Sequence, residues 1–137
     1  MIVIDASIAV KWIMEGEDDR EKAQLLYQNH YTGKEGILVP DLIFLEVANS
    51  LVTKSKTNWK TIRKQLNFMF NSNLTVYCPK EDIVQTASKL AQKYHTSVYD
   101  MLYAVIARKH KTVLVTADER FVSLTKFPHV KLLSKHF

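Results

Sequence analysis

The sequence predicts an α/β protein, a three-layer sandwich in which helices cover both faces of a central parallel sheet of about five strands. The main observation is that short apolar runs alternate with longer segments of helical periodicity, a pattern typical of parallel strands joined by crossover helices. In addition, the 137-residue chain contains only three glycines and three prolines, and no repeat or linker interrupts the pattern. We therefore expect one domain that covers residues 1–137.

Five short apolar runs are predicted to form the strands. Gly33 and Gly36 mark the turn into the second strand, and Pro40 ends it. In chain order, the predicted strands are Met1–Ile4, Ile37–Val39, Leu74–Cys78, Lys111–Val115 and about Val130–Leu133.

Seven helices are predicted between and after these strands. The acidic stretch Glu15–Asp19 separates the first two helices, and Asp41 is expected to cap the third. In chain order, the helices run from about Ser7 to Met14, from about Asp19 to Tyr31, from Asp41 to about Thr53, from about Asn58 to Asn71, and over Lys80–Tyr94, Val98–Lys109 and Asp118–Leu124.

The composition is that of an ordinary globular domain with a basic balance. The formal net charge is +5, and five of the fourteen acids fall in residues 15–21, so the remaining surface is more basic than the total indicates. No apolar run of about 18 residues predicts a membrane span, and residues 1–10 do not resemble a signal peptide. Cys78 is the single cysteine, which excludes an internal disulfide and favours a cytoplasmic location.

Two acidic residues follow strands in this arrangement. Asp5 comes directly after the first strand, and Asp118 comes shortly after the fourth. Ligands of open parallel sheets bind beyond the carboxyl ends of the strands, so both acids are expected at such a crevice. Each also has a structural alternative: Asp5 can cap the helix after it, and Thr116 with Glu119 can form a capping box beside Asp118.

Two further acids lie within predicted helices. Glu46 is surrounded by apolar residues, and its forward neighbours at helical spacing are Asn49 and Ser50, which form one narrow polar stripe. A buried carboxylate is costly unless it is paired, hydrogen-bonded or bound to a cation, which favours a site over a solvated face. Asp100 fits a site as well, although Ser97 as helix cap offers it a capping role.

Four segments of the chain together resemble PIN-domain ribonucleases, in particular the toxins of VapBC toxin–antitoxin pairs. The segments are IVIDASIAVKW, PDLIFLEVANSL, SVYDMLYAVIAR and VLVTADERF, in the order and at the separations typical of the family. The resemblance puts the family's four catalytic, metal-binding acids at Asp5, Glu46, Asp100 and Asp118, and its hydroxyl positions at Ser7 and Thr116. It implies hydrolysis of RNA to a 3′-hydroxyl and a 5′-phosphate, a homodimer and an inhibitory antitoxin.

An oxygen-only pocket of several carboxylates is suited to Mg²⁺ or Mn²⁺. Such an ion can activate water, polarise a phosphoryl oxygen and stabilise the leaving oxygen, as phosphodiester hydrolysis requires. We expect Ser7 and Thr116 to orient the carboxylates or to bind a metal-bound water, with Asn49 as a third supporting residue. No histidine or cysteine cluster with zinc spacing is present, which disfavours zinc.

Lysine and arginine side chains are the candidates for holding RNA, because phosphate contacts supply most sequence-independent affinity. The residues singled out are Lys11, Lys54, Lys56 and Arg108. A solvated basic face is the alternative for each of them. Trp12 offers a ring for base stacking, but core packing is the favoured interpretation.

Other functions fit the sequence less well. A haloacid-dehalogenase-type phosphatase would have an aspartate where Ser7 stands, and a receiver domain would have one after the third strand, where Pro79 stands. No GxxxxGK[ST] loop occurs. A housekeeping PIN nuclease of RNA maturation and a non-catalytic PIN-like binding module stay as alternatives; four clustered carboxylates argue against the second.

Overall fold

The computed structural model describes all residues from 1 to 137. Its five strands form one sheet in which every neighbouring pair is parallel, with the order β3-β2-β1-β4-β5. The strands are β1 (Ile2–Ile4), β2 (Ile37–Pro40), β3 (Thr75–Tyr77), β4 (Leu114–Thr116) and β5 (Val130–Leu132). The expected parallel sheet of about five strands is thereby confirmed.

Seven α-helices and one 3₁₀ turn complete the chain. The helices are α1 (Ala6–Ile13), α2 (Arg20–Tyr31), α3 (Leu42–Lys54), α4 (Trp59–Phe70), α5 (Glu81–Tyr94), α6 (Val98–Lys109) and α7 (Glu119–Thr125), and the 3₁₀ turn is Leu133–Lys135. All seven predicted helices are present, each with ends within one or two residues of the prediction.

The helices form the two outer layers of the sandwich. On one side, α1 packs against α2 and α3, and α3 packs against α4; on the other, α5 packs against α6. Because crossovers between parallel strands are right-handed, the strand order puts α1 to α4 on one face and α5 to α7 on the other. The predicted three-layer α/β/α sandwich is the observed fold.

The core lies on both sides of the inner strands. All residues of β1, β2 and β4 are buried, as expected for parallel strands covered on both faces. The edge strand β3 is largely exposed. Trp12 belongs to this core, where its indole N–H donates to the carbonyl of Ala23 at 2.8 Å, so the packing interpretation of this residue is confirmed.

Two local predictions differ from the structure. The fourth strand begins at Leu114 rather than Lys111, because Lys111 takes a left-handed backbone conformation with φ of 54° that ends the turn after α6. Asp41 precedes α3, but its side chain makes no capping hydrogen bond.

The strand order creates a switch point between β1 and β4. From β1 the chain first adds β2 and β3 on one side, then crosses over to add β4 and β5 on the other. At such a point the crossovers diverge to opposite faces and leave a crevice beyond the carboxyl ends of the two central strands. None of the helices has the length and apolarity needed to span a bilayer.

Candidate metal centre

A cavity of about 260 Å³ opens at this crevice, and all four acids identified from the sequence line it. They come from four different elements: Asp5 follows β1, Glu46 lies in α3, Asp100 in α6, and Asp118 follows β4. The complete lining is Asp5, Ala6, Ser7, Val10, Glu46, Asn49, Ser50, Lys54, Asp100, Tyr103 and Asp118. The structure therefore brings together residues that are up to 113 positions apart, from 5 to 118.

Both oxygens of the Asp5 carboxylate accept hydrogen bonds from hydroxyl groups. Ser7 Oγ donates to Oδ1 and Thr116 Oγ1 donates to Oδ2, each at 2.5 Å. Asp5 precedes α1, but its side chain makes no helix-capping hydrogen bond. The hydroxyl groups therefore hold the plane of this carboxylate, which is one of the two roles suggested by the sequence for Ser7 and Thr116.

The same two hydroxyl groups connect β1 to the segment after β4. Ser7 Oγ accepts from the backbone N–H of Ala117, and Thr116 Oγ1 accepts from that of Asp118, both at 3.0 Å. Asp118 Oδ1 in turn accepts from the N–H of Phe121 and caps α7. The cap is thus Asp118 itself and not the alternative capping box of Thr116 and Glu119. The second carboxylate oxygen of Asp118, Oδ2, makes no hydrogen bond with the protein.

Glu46 is held by a residue that the sequence did not single out. Tyr103 on α6 donates its hydroxyl proton to Glu46 Oε1 at 2.5 Å. Tyr103 lies three residues after Asp100, so both side chains occupy one face of α6. That spacing was the available signal, but a tyrosine in an apolar helix is typical of core packing, and Tyr103 is indeed only 1% exposed.

Burial and mutual repulsion make three of the acids harder to ionise. Burial raises the pKa of Asp5 to about 6. The hydrogen bonds from Ser7 and Thr116 lower this pKa, and the charge of Asp100 raises it further. Burial also raises the pKa of Glu46, opposed by the Tyr103 hydrogen bond and increased by Asp100. Burial also raises the pKa of Asp100. A hydrogen bond with Ser97 lowers this pKa, and the charge of Asp118 raises it. The cavity therefore favours a bound cation, which would relieve this repulsion.

Comparison with known proteins agrees with this architecture. The family model for the PIN domain matches residues 2–126. This chain belongs to the PIN domain family. No curated protein matches it.

Several solved structures share the fold of this PIN domain. The toxin VapC20 of Mycobacterium tuberculosis, described as cleaving the sarcin–ricin loop, is 14% identical with a TM-score of 0.72, over 96% of this chain and 99% of that one. A toxin–antitoxin complex from Klebsiella pneumoniae is 18% identical with a TM-score of 0.68, and the match covers 95% of this chain and 95% of that one. VapBC2 from Rickettsia felis, bound to a promoter DNA fragment, is 21% identical with a TM-score of 0.65, and the match covers 96% of this chain and 97% of that one. At these identities the likeness is one of fold.

The donor chemistry of the PIN domain cavity fits a hard divalent cation. Its candidate ligands are carboxylate oxygens, which Mg²⁺ and Mn²⁺ prefer. No three acidic, histidine or cysteine side chains converge on one point to form a ready coordination shell. Mg²⁺ keeps several waters and commonly binds through one or two carboxylates together with substrate phosphates.

The basic residues singled out from sequence occupy different places. Lys54 lines the cavity on the same face of α3 as Glu46, eight residues away. Lys56 is exposed but lies outside the lining. Arg108 lines a separate cavity. It follows Asp100 by eight residues and therefore lies about 12 Å further along α6, at 1.5 Å per residue. Lys11 is only 7% exposed, and its ammonium group donates to the carbonyl of Asp18 at 2.6 Å.

Lys11 thus has a visible structural function. Its Nζ also lies 3.9 Å from a carboxylate oxygen of Glu17 and so holds the acidic segment after α1 against the helix. The sequence alone does not show which way this side chain points. Of the four basic candidates, only Lys54 is in the cavity wall.

Proposed function

We propose that this PIN domain is a divalent-metal-dependent endoribonuclease and acts as the toxin of a toxin–antitoxin pair. The observation that carries the proposal is the arrangement of Asp5, Glu46, Asp100 and Asp118 around one cavity at the switch point of the sheet. A fold of this size has no structural need to place four carboxylates, three of them with raised pKa values, in a shared cavity.

The four carboxylates would bind Mg²⁺ or Mn²⁺ and position the attacking water. When bound, the ion supplies an activated nucleophile and stabilises charge on the phosphoryl group. Ser7 and Thr116 fix both oxygens of Asp5, and Tyr103 fixes one oxygen of Glu46, so these ligands are oriented before the substrate arrives. Asn49 lines the cavity beside Glu46 and is a candidate to bind a water or a ribose hydroxyl.

RNA is the proposed substrate because the chain resembles ribonucleases and carries net positive charge outside its acidic cavity. Lys54 would contact the phosphate backbone at the cavity wall, and Lys56 would add long-range attraction. By family resemblance, the products would carry a 3′-hydroxyl and a 5′-phosphate. We propose the whole of residues 1–137 as the nuclease domain.

The proposed partners are a cognate antitoxin and a second copy of the chain, with action in the cytoplasm. Two of the structurally similar proteins are toxin–antitoxin complexes. On α3 and α4 this chain leaves large apolar side chains exposed, among them Leu45 at 72%, Trp59 at 65% and Phe70 at 63%. These helices pack against each other, and contiguous exposed apolar patches mark sites where partner proteins bind.

Cleavage of a labelled structured RNA by the purified protein tests the nuclease activity. Wild type, Asp5→Asn and Asp100→Asn would each be assayed with Mg²⁺ and with EDTA. Cleavage by wild type in Mg²⁺ alone is expected. Equal cleavage by an aspartate variant, or cleavage that persists in EDTA, would contradict the proposal.

Expression in a bacterial host tests the toxin role separately. Growth arrest by wild type, relieved by Asp100→Asn at equal protein level, is expected for a toxin. A nuclease that cleaves RNA in vitro but leaves growth unchanged would instead support the housekeeping alternative.

A further inference from the structure

A second, smaller cavity adjoins the acidic one. It has a volume of about 160 Å³ and shares Asp100 and Asp118 with the first cavity, so these two acids lie between the two. Its other lining residues are His95, Thr96, Ser97, Arg120, Phe121 and Leu124. The second cavity therefore extends the acidic site towards α7 and the turn between α5 and α6.

Each cavity has a lysine or an arginine in its lining. Lys54, at the end of α3, lines only the first cavity, and Arg120, in the first turn of α7, lines only the second. Both side chains are exposed, and neither takes part in an ion pair. The two cavities thus share two carboxylates, and each adds one cation of its own to the lining.

Arg120 is free to bind an external anion. Although it follows Asp118 by two residues, the Asp118 carboxylate accepts from the backbone N–H of Phe121 and forms no salt bridge with the guanidinium group. A guanidinium can form two parallel hydrogen bonds to one phosphate, which a lysine cannot do. Thr96 and Ser97 add hydroxyl groups to the same wall.

We infer that the second cavity is a binding subsite for the RNA chain, in which Arg120 contacts a phosphate on the opposite side of the acids from Lys54. A strand that crosses Asp100 and Asp118 would then be held at both ends while the phosphate between them faces the metal ligands. This inference rests on the proposed nuclease function and adds to it the path of the substrate.

The test measures RNA binding and cleavage by wild type, Arg120→Gln, Arg120→Lys and Lys89→Gln. Lys89 is exposed on α5 and lines neither cavity, so Lys89→Gln removes one positive charge as a matched control. Binding of a fluorescein-labelled single-stranded 16-nucleotide RNA would be followed by anisotropy in metal-free buffer at several salt concentrations. Mn²⁺ affinity would be measured by calorimetry on each variant.

For Arg120→Gln we expect about fivefold to tenfold weaker RNA binding at low salt and a salt dependence reduced by about one phosphate contact. KM should rise while kcat stays within about twofold of wild type, and Mn²⁺ affinity should be unchanged. Arg120→Lys should keep the salt dependence but bind more weakly than wild type. Lys89→Gln should weaken binding only slightly, through the lost long-range attraction, and should keep the salt dependence and KM of wild type.

Two results would overturn the inference. If Arg120→Gln binds RNA as tightly as Lys89→Gln, the cavity is not a subsite. If Arg120→Gln instead lowers Mn²⁺ affinity and kcat together, Arg120 acts on the acids rather than on RNA. Failure of wild type to bind or cleave any RNA would be a different outcome, which removes the proposed function itself.

Discussion

The hydroxyl group of Tyr103 donates a 2.5 Å hydrogen bond to Oε1 of Glu46 and so joins α6 to α3, two helices on opposite faces of the sheet. Burial and the charges of Glu46, Asp5 and Asp100 raise the pKa of Tyr103, so its hydroxyl stays a proton donor. The bond stabilises the ionised form of Glu46, whose own pKa is raised by burial. Glu46 is therefore held in place by a contact between layers rather than by its own helix.

Replacing Tyr103 by phenylalanine should weaken metal binding with little loss of stability. The variant keeps the ring in the core but removes the donor, and loss of such a supporting hydrogen bond commonly costs about tenfold in metal affinity or activity. The free energy of unfolding should fall by about 1 kcal/mol. Mn²⁺ titration calorimetry and urea unfolding measure the two effects.

Tyr99→Phe is the matched control for this prediction. Tyr99 lies on the same helix and is 61% exposed, and its hydroxyl makes no hydrogen bond with the protein. Tyr99→Phe should leave both the Mn²⁺ affinity and the free energy of unfolding unchanged. Equal Mn²⁺ affinity in Tyr103→Phe and wild type would show that Glu46 needs no such support.

Asp5→Asn should stabilise the metal-free protein at neutral and alkaline pH. Burial raises the pKa of Asp5 from 3.8 to about 6, so the folded protein holds this proton more tightly than the unfolded chain does. The stability from the bound proton is fully present below about pH 4 and is lost as the pH rises through about 6. A shift of about two pKa units corresponds to at most about 3 kcal/mol.

Urea unfolding in EDTA between pH 4 and 8 measures this effect. Asp5→Asn should unfold at higher urea than wild type at pH 8, and the difference should shrink towards pH 4. Adding Mg²⁺ should stabilise wild type more than the variant, because only wild type retains the charged ligand. A difference that does not change with pH would contradict the assigned cause.

Much of this site could be predicted because its main parts depend on local patterns. Apolar runs located β1 and β4, and parallel strands bring their carboxyl ends to one edge, so strand type alone placed Asp5 and Asp118 at the same edge of the sheet. Glu46 was recognised because a charged residue in an apolar helix needs a partner.

The remaining features depend on contacts between distant segments. Strand order, and with it the switch point between β1 and β4, is set by how whole layers pack. Tyr103 gave no local signal, because an aromatic residue in an apolar helix is typical of the core. The sequence makes Lys11 a candidate RNA contact or a solvated cation, whereas the carbonyl of Asp18 and the carboxylate of Glu17 hold it against the protein.

Thr116→Val should destabilise the protein and disturb two acids at once. Thr116 is fully buried; its hydroxyl donates to Asp5 and accepts from the N–H of Asp118, so valine leaves both groups without this partner. We expect a loss of about 2 kcal/mol in the free energy of unfolding. The loss should be larger at pH 8, where Asp5 is ionised, than at pH 4.

Thr116→Ser keeps the hydroxyl group and should retain most of the stability and the Mn²⁺ affinity. Unfolding at the two pH values and Mn²⁺ calorimetry on both variants make the comparison. If valine were as stable as wild type, or serine as destabilising as valine, the hydroxyl network would not be the main contribution of Thr116 to stability.

Lys54→Gln and Lys56→Gln remove the same charge at positions two residues apart, but only Lys54 lines the acidic cavity. Both variants should weaken RNA binding slightly at low salt, because each lowers the long-range attraction. Only Lys54→Gln should also reduce the salt dependence of binding by about one phosphate contact and raise KM about threefold or more. Salt titrations of binding and steady-state cleavage provide the measurement.

Identical behaviour of Lys54→Gln and Lys56→Gln would mean that the two lysines act through net charge alone. The proposed path of the RNA over the cavity wall at α3 would then be wrong.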